Sequence, residues 1–267
     1  MTTKVTLADA KEMMERTEGK GVRTIIEAAG HRARRRLSVF YGGSTQGRNK
    51  PRAAAKFFIR LLNGMTSSAI DECVAKMWTD YRRWNDICSL TKLDPRSTDL
   101  SVLDIGGGLT TVTRMFDTPR RWVLDICVDE MRKGGITLPP GIHFINGEAE
   151  RIPFPDGFFR HVFSSNALDH FKDPRAALRE MRRVMSDDGY CVIAVDIFPT
   201  SRLGEHRGIK HPHTFSEKIA RDLVSSTFEV MDVLRQPEGG KVGFQQLVRG
   251  DVVPQTEKEE LIYVLRK

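Results

Sequence analysis

The chain lacks any apolar run near the roughly 20 residues that a membrane-spanning helix needs. Its opening stretch, MTTKVTLADAKEMMERTEGK, has no apolar core of the kind a secretory signal carries. Cysteine is scarce: Cys73, Cys88, Cys127 and Cys191 are the only four, and no pair is spaced C-x-x-C, so neither a zinc site nor a disulfide framework is indicated. These absences predict a cytoplasmic protein with reduced thiols and no structural metal. The dinucleotide signature G-x-G-x-x-G is missing as well. Gly106 and Gly108 occupy its first two positions, but Thr111 stands where the third glycine belongs.

What stands there instead is VLDIGGGLTT, Val102 to Thr111, an apolar strand that passes through an acid into three glycines and then a helical pattern. Glycines at a strand-to-helix turn permit backbone dihedrals closed to other residues and let the chain approach a ligand closely. Asp104, two residues before Gly106, would repel a diphosphate and attract an ammonium. The next apolar run, RWVLDI, ends in Asp125, 21 residues beyond Asp104, near the spacing at which a doubly wound fold places an acid on the two ribose hydroxyls. A third segment, Phe144 to Phe171 (FINGEAERIPFPDGFFRHVFSSNALDHF), repeats the order strand, acid, turn and strand.

With these three segments, the chain from about Ser101 to Lys267 resembles the class I S-adenosylmethionine-dependent methyltransferases, and most closely their small-molecule branch. The resemblance implies S-adenosylmethionine as cofactor, held by Asp104, Gly106, Gly108, Asp125, Ile126, Glu148, Ala149 and Asn166, with Tyr81 as a lid candidate beside Trp78. Asp125 is the implied ribose ligand. Glu148, one methylene longer than the family's usual Asp, is the implied acceptor for the adenine amino group, and the Ala149 amide the partner of the neighbouring ring nitrogen. Arg160 departs from the family, which commonly shows Asp just before the fourth strand.

Strands and helices alternate from Ser101 onward: SVLDI, RWVLDI, IHFIN and HVFSS, then the helix PRAALREMRRVM, the strand YCVIAVDIF, the helix SEKIARDLVSS, and the strands FEVMDVL and ELIYVL. Alternation predicts an α/β fold, a Rossmann-like doubly wound seven-stranded sheet that is mostly parallel. The last two strands have no good helix between them and predict an antiparallel C-terminal strand. Residues 1–90 read as a basic N-terminal helical extension or lid and 91–267 as the methyltransferase domain. Within the extension, Arg52 to Met65 has amphipathic spacing suited to the core or to a membrane, and Ala69 to Leu90 reads as one longer helix.

Charge is concentrated at the N-terminus. Residues 1–60 hold 14 Lys and Arg against five Asp and Glu, a net of +9, so the rest of a chain of net charge +7 nets −2. HRARRRLSVFYGG, which contains Arg35, suits a phosphate, an anionic lipid surface or RNA, and equally a solvated basic arm. Peripheral membrane contact through this arm is one expectation. RNA is disfavoured, because the residues after the fourth strand, Asn166 to His170, read NALDH rather than the N-P-P-Y type used on exocyclic amines.

Methyl transfer is an in-line displacement at a sulfonium, so alignment does most of the work. An acceptor hydroxyl must still lose a proton. His170, just past the fourth strand, is placed to take it, with Asp169 as orienting, acceptor-contacting or metal-ligating partner. The long polar loop from Asp196 to Lys218 carries His206, His211 and His213, candidate contacts for a polar acceptor, as is Arg35. His211 and His213 with Asp169 or Asp196 are an alternative divalent-metal set, although the spacing matches no strong template, and Thr214 and Ser216 are candidate helix caps. The functional expectation is O-methylation of a polar small molecule or saccharide, phosphate-bearing or lipid-linked. The alternatives are an RNA methyltransferase using the arginine cluster and a non-catalytic cofactor-binding subunit that activates a partner.

Overall fold

Seven apolar runs become strands: β1 (Val102–Ile105), β2 (Arg121–Asp125), β3 (His143–Asn146), β4 (Phe159–Ser165), β5 (Met185–Ile197), β6 (Glu229–Arg235) and β7 (Glu259–Arg266). The computed structural model describes residues 65–203, 212–236 and 259–267. The strands form one sheet in the order β3-β2-β1-β4-β5-β7-β6. β1 pairs in parallel with β2 and β4, β2 with β3, and β4 with β5, while β7 lies antiparallel between β5 and β6. This is the expected Rossmann-like sheet. Chain order reverses between β1 and β4, the point at which open α/β sheets bind ligands beyond their carboxyl ends.

Five α-helices are described: α1 (Ser67–Lys76), α2 (Trp84–Thr91), α3 (Val128–Lys133), α4 (Pro174–Val184) and α5 (Glu217–Ser225). Their starts follow from side-chain caps. Asp173 accepts from the Arg175 and Ala176 amides ahead of α4, whose first residue is Pro174, and Ser216 accepts from Ile219 N ahead of α5. Thr214, the other expected cap, instead donates to the Leu203 carbonyl at 2.6 Å.

Two expected helices are corrected. Ala69 to Leu90 is not continuous: a π turn at Met77–Tyr81 and a left-handed Arg83 (φ 55°) separate α1 from α2. The helix expected after the glycines is replaced by two short 3-10 turns, Gly108–Thr110 and Val112–Met115. Thr111 separates them because its hydroxyl is committed to Asp104 and accepts from the Thr113 amide, which draws its backbone to ψ 140°.

The sheet is covered on both faces. On one, Trp78, Trp84, Phe116 and Phe163 meet edge to face with ring centroids 5.7–6.0 Å apart, uniting α1 and α2 with the strands. The described part of the N-terminal segment therefore shares one core with the sheet. Trp78, a lid candidate, is 1% exposed and belongs to this core. On the other face Trp122, Phe154, Phe158 and Phe159 form a second aromatic cluster, in a core that includes residues of α4 and α5. Trp78→Ala is expected to lower stability by about 3–5 kcal/mol. Denaturant unfolding checks this, and a loss under about 1 kcal/mol would mean that the π turn after α1 is not part of the core.

Candidate active site

Asp104, one residue before the end of β1, lies in a nearly dry environment, 1% exposed. Burial pushes its carboxyl up to about 6, against the opposing hydrogen bonds from Thr111 and Val112 and the nearby positive charge of Arg82. Oδ2 accepts from Thr111 Oγ1 at 2.7 Å and from the Val112 amide at 3.0 Å, which ties the glycine turn to the strand. Oδ1 is buried with no partner among the described residues. The glycines follow from the same closeness. Gly106 has φ +76°, and a Cβ there would lie 2.4 Å from Ala167 Cβ; at Gly107 it would lie 2.0 Å from Asp104 Oδ2. Gly108 also has positive φ.

Beside β1, the end of β4 offers a second orphaned acceptor. Asn166 sits at φ 50°, anchored by its amide to the Ala194 carbonyl at 2.9 Å, with its side-chain Oδ1 buried and unpartnered among the described residues. A buried polar atom without a partner costs about 1–3 kcal/mol. Two such acceptors at the ends of adjacent strands fit a donor-rich cation such as the ammonium of S-adenosylmethionine, so the residues present suit the implied cofactor.

Asp125 ends β2 and is 8% exposed. Burial raises its carboxyl, opposed by the Cys127 and Gly108 amides and by nearby His170. Its Oδ1 accepts from Cys127 N at 2.7 Å. Ile126 follows with 43% exposure, an apolar side chain left open just past the end of β2. Ala149 is buried, and Glu148 is exposed and ion-paired with Lys172. An adenine amino group that reaches Glu148 must therefore displace or share with Lys172. Tyr81 is half-buried at the end of the π turn, and the Lys76 ammonium lies over its ring.

Asp169 and His170 lie in a 3-10 turn, Leu168–His170, directly after β4. Asp169 Oδ2 stands 3.9 Å from His170 Nε2, and the His170 side chain is 45% exposed. His213 is a fastener: its amide donates to the Asp169 carbonyl at 3.3 Å, Nε2 meets the Phe171 carbonyl at 2.9 Å, and its ring stacks on Phe215. A ring nitrogen facing a carbonyl carries its proton, so that nitrogen is not a metal ligand. Among the described residues no three His, Cys, Asp or Glu side chains converge to hold a metal ion. His206, His211 and Arg35 lie outside the described residues, as does the amphipathic stretch Arg52 to Met65, except for Met65 itself. Arg160, the departure from the family, pairs with Asp188 at the surface.

Three contributors escaped sequence reading. Thr111, whose only signal is its place in the broken glycine pattern, locks Asp104. Lys172 covers Glu148 from across the β4 turn. Arg82 forms a buried two-pronged pair with Glu260, Nε to Oε2 at 3.0 Å and Nη2 to Oε1 at 2.9 Å, between residues 178 positions apart.

The class defined by this sheet and its β1/β4 cleft is a Rossmann-like cofactor-binding domain of the methyltransferase type. Residues 103–193 match a family model described as a methyltransferase domain, a match that supports the class I S-adenosylmethionine-dependent methyltransferase superfamily and implies S-adenosylmethionine as the cofactor. A ubiquinone/menaquinone biosynthesis C-methyltransferase of Vibrio vulnificus is 28% identical over 201 residues, covering 69% of this chain and 71% of the relative. A chloroplastic 2-methyl-6-phytyl-1,4-hydroquinone methyltransferase of Spinacia oleracea is 27% identical over 128 residues, 46% of this chain and 36% of the relative. The matched segment thus spans about a third of the plant relative. A solved Galdieria sulphuraria protein, proposed to be a sarcosine dimethylglycine methyltransferase, is similar in fold at TM-score 0.56 and 16% identity, covering 80% of this chain and 98% of that one.

Proposed function

We propose that the chain transfers the methyl group of S-adenosylmethionine to the oxygen of a hydroxylated small molecule, and that His170 accepts the hydroxyl proton. The observation that carries this reading is the Asp169–His170 turn at the mouth of β4, with His170 close enough to Asp125 to act on its charge. Bound S-adenosylmethionine supplies an electrophilic methyl on a sulfonium, which needs alignment more than activation. Asp104 and Asn166 orient the amino-acid end and Asp125 the ribose. His170 then stands on the acceptor side with a solvent-reachable ring, and Asp169 faces the imidazolium that proton uptake creates. His213 holds the segment after β5 against this turn.

A second reading is favoured by the relatives, one a quinone-pathway C-methyltransferase by name and the other acting on a hydroquinone. Removing a phenolic proton pushes electron density onto the ring carbon beside the oxygen, so the same step at His170 serves C-methylation. Carbon-13-labelled methyl donor offered with hydroxylated aromatics and saccharides separates the two, because O-methyl and C-methyl products differ in carbon chemical shift.

His170→Ala is expected to lower turnover by about 100- to 10,000-fold while S-adenosylmethionine affinity stays within about twofold. Unchanged turnover would remove His170 from the chemistry.

A further inference from the structure

Lys172 belongs to two places at once. Its ammonium is ion-paired with the exposed Glu148, and the same residue lines a groove of about 500 Å³ between the start of α4 and the face of α5. Buried Phe215 and Leu223 and the exposed Ile219 give the groove an apolar floor, while Lys172, Arg175 and His213 stand on its rim. Two acids share that rim, and both are already engaged. Asp173 Oδ1 accepts from the Arg175 and Ala176 amides, and Asp222 Oδ2 pairs with Lys218 Nζ at 2.6 Å. Arg175 has no carboxylate partner among the described residues; its Nη1 donates to the Ser226 hydroxyl at 3.4 Å. The rim therefore offers two cations above an apolar floor.

The groove shares a wall with the Asp169–His170 turn. His213 forms part of that wall and brackets His170, its amide donating to the Asp169 carbonyl at 3.3 Å and its Nε2 facing the Phe171 carbonyl at 2.9 Å. The backbone of Lys172 is pinned in turn, because its amide and that of Asp173 donate to Glu150 Oε1 at 2.7 and 3.0 Å. Its side chain, 76% exposed, is the part able to move. An exposed ion pair of this kind contributes little, so a competitor for Glu148 can release it. We propose that the groove takes an acceptor with an apolar body and an anionic group, and that Lys172 couples it to the cofactor: adenine occupies Glu148, and the released ammonium joins Arg175 on the anion. This rests on the reading that Glu148 accepts from the adenine amino group of S-adenosylmethionine. The coupling is reciprocal, so each ligand tightens the other by the same factor.

The test is calorimetric titration of the full chain with phenyl phosphate, with and without saturating S-adenosylhomocysteine, at fixed ionic strength. Wild type should bind phenyl phosphate about two- to fivefold more tightly when S-adenosylhomocysteine is present, the scale of one exposed ion pair. Lys172→Met should bind phenyl phosphate with the same, weaker affinity in both states. It should also bind S-adenosylhomocysteine alone at least as tightly as wild type, because nothing then competes for Glu148. Arg175→Met should weaken phenyl phosphate binding in both states and keep the coupling, and uncharged benzyl alcohol should show no coupling. Equal phenyl phosphate affinity with and without S-adenosylhomocysteine in wild type would overturn the inference, as would coupling that survives in Lys172→Met or no phenyl phosphate binding at all. Wild type that binds phenyl phosphate but not S-adenosylhomocysteine would overturn the cofactor reading itself, and this inference with it.

Discussion

Asp104→Asn should weaken S-adenosylmethionine binding by about 10- to 150-fold, the equivalent of one charge-assisted hydrogen bond of about 1.5–3 kcal/mol. Oδ1 is a buried acceptor without a partner among the described residues, and Oδ2 receives two donors from the glycine turn. An amide cannot serve both positions as a charged acceptor. The substitution also has a stability signature. Because burial holds the Asp104 carboxyl at about 6 in the fold against an ordinary 3.8, the native state binds the extra proton between those values. Wild-type stability therefore declines as pH rises through that window, and the Asn variant should lack this decline. Calorimetry and pH-dependent unfolding read the two effects. Unchanged affinity would remove Asp104 from the cofactor site.

Gly106→Ala should be more damaging still, because two independent penalties meet at one atom. The backbone at φ +76° is strained for alanine, and the new methyl would lie 2.4 Å from Ala167 Cβ, so the ends of β1 and β4 must separate. Together these are expected to lower stability by about 2–4 kcal/mol and to abolish measurable cofactor binding, since the parted strands carry Asp104 and Asn166. Gly135→Ala supplies the control. It has a similar φ of +79° with nothing within 4 Å of the new methyl, so it should show strain alone, about 1 kcal/mol, with cofactor affinity retained. Equal effects at the two positions would contradict the crowding explanation.

The parts of the fold that were legible in the sequence were those whose cause is local. The strand runs that carry Asp104 and Asp125, the glycine turn between them, and the helix that starts at Pro174 all follow from neighbours within a few positions. The antiparallel end followed from the missing helix between the last two strands. The parts that were not legible depend on partners far away in the chain. Arg82 breaks the expected Ala69 to Leu90 helix because a carboxylate 178 positions later draws it inward, and no periodicity records that. The same break left Trp78 looking like a lid residue, although it packs under the cap against Phe163. Thr111 was visible as a departure from a glycine pattern, but its consequence, two 3-10 turns instead of a helix, needed the position of Asp104. Glu148 was read as a turn acid, while its engagement by Lys172 depended on how the segment after β4 folds back. His213 was expected among the acceptor contacts from its place in the long loop after β5, and its engagement of the Phe171 carbonyl through Nε2 depended on how that loop folds back.

A crystal structure of the chain with S-adenosylhomocysteine bound is the most direct measurement of where the cofactor sits. The ribose hydroxyls are predicted on Asp125, and the ammonium between Asp104 Oδ1 and Asn166 Oδ1 at the ends of β1 and β4. A ligand bound elsewhere, or one bound in the cleft that leaves both orphaned acceptors without a donor, would contradict the assignment.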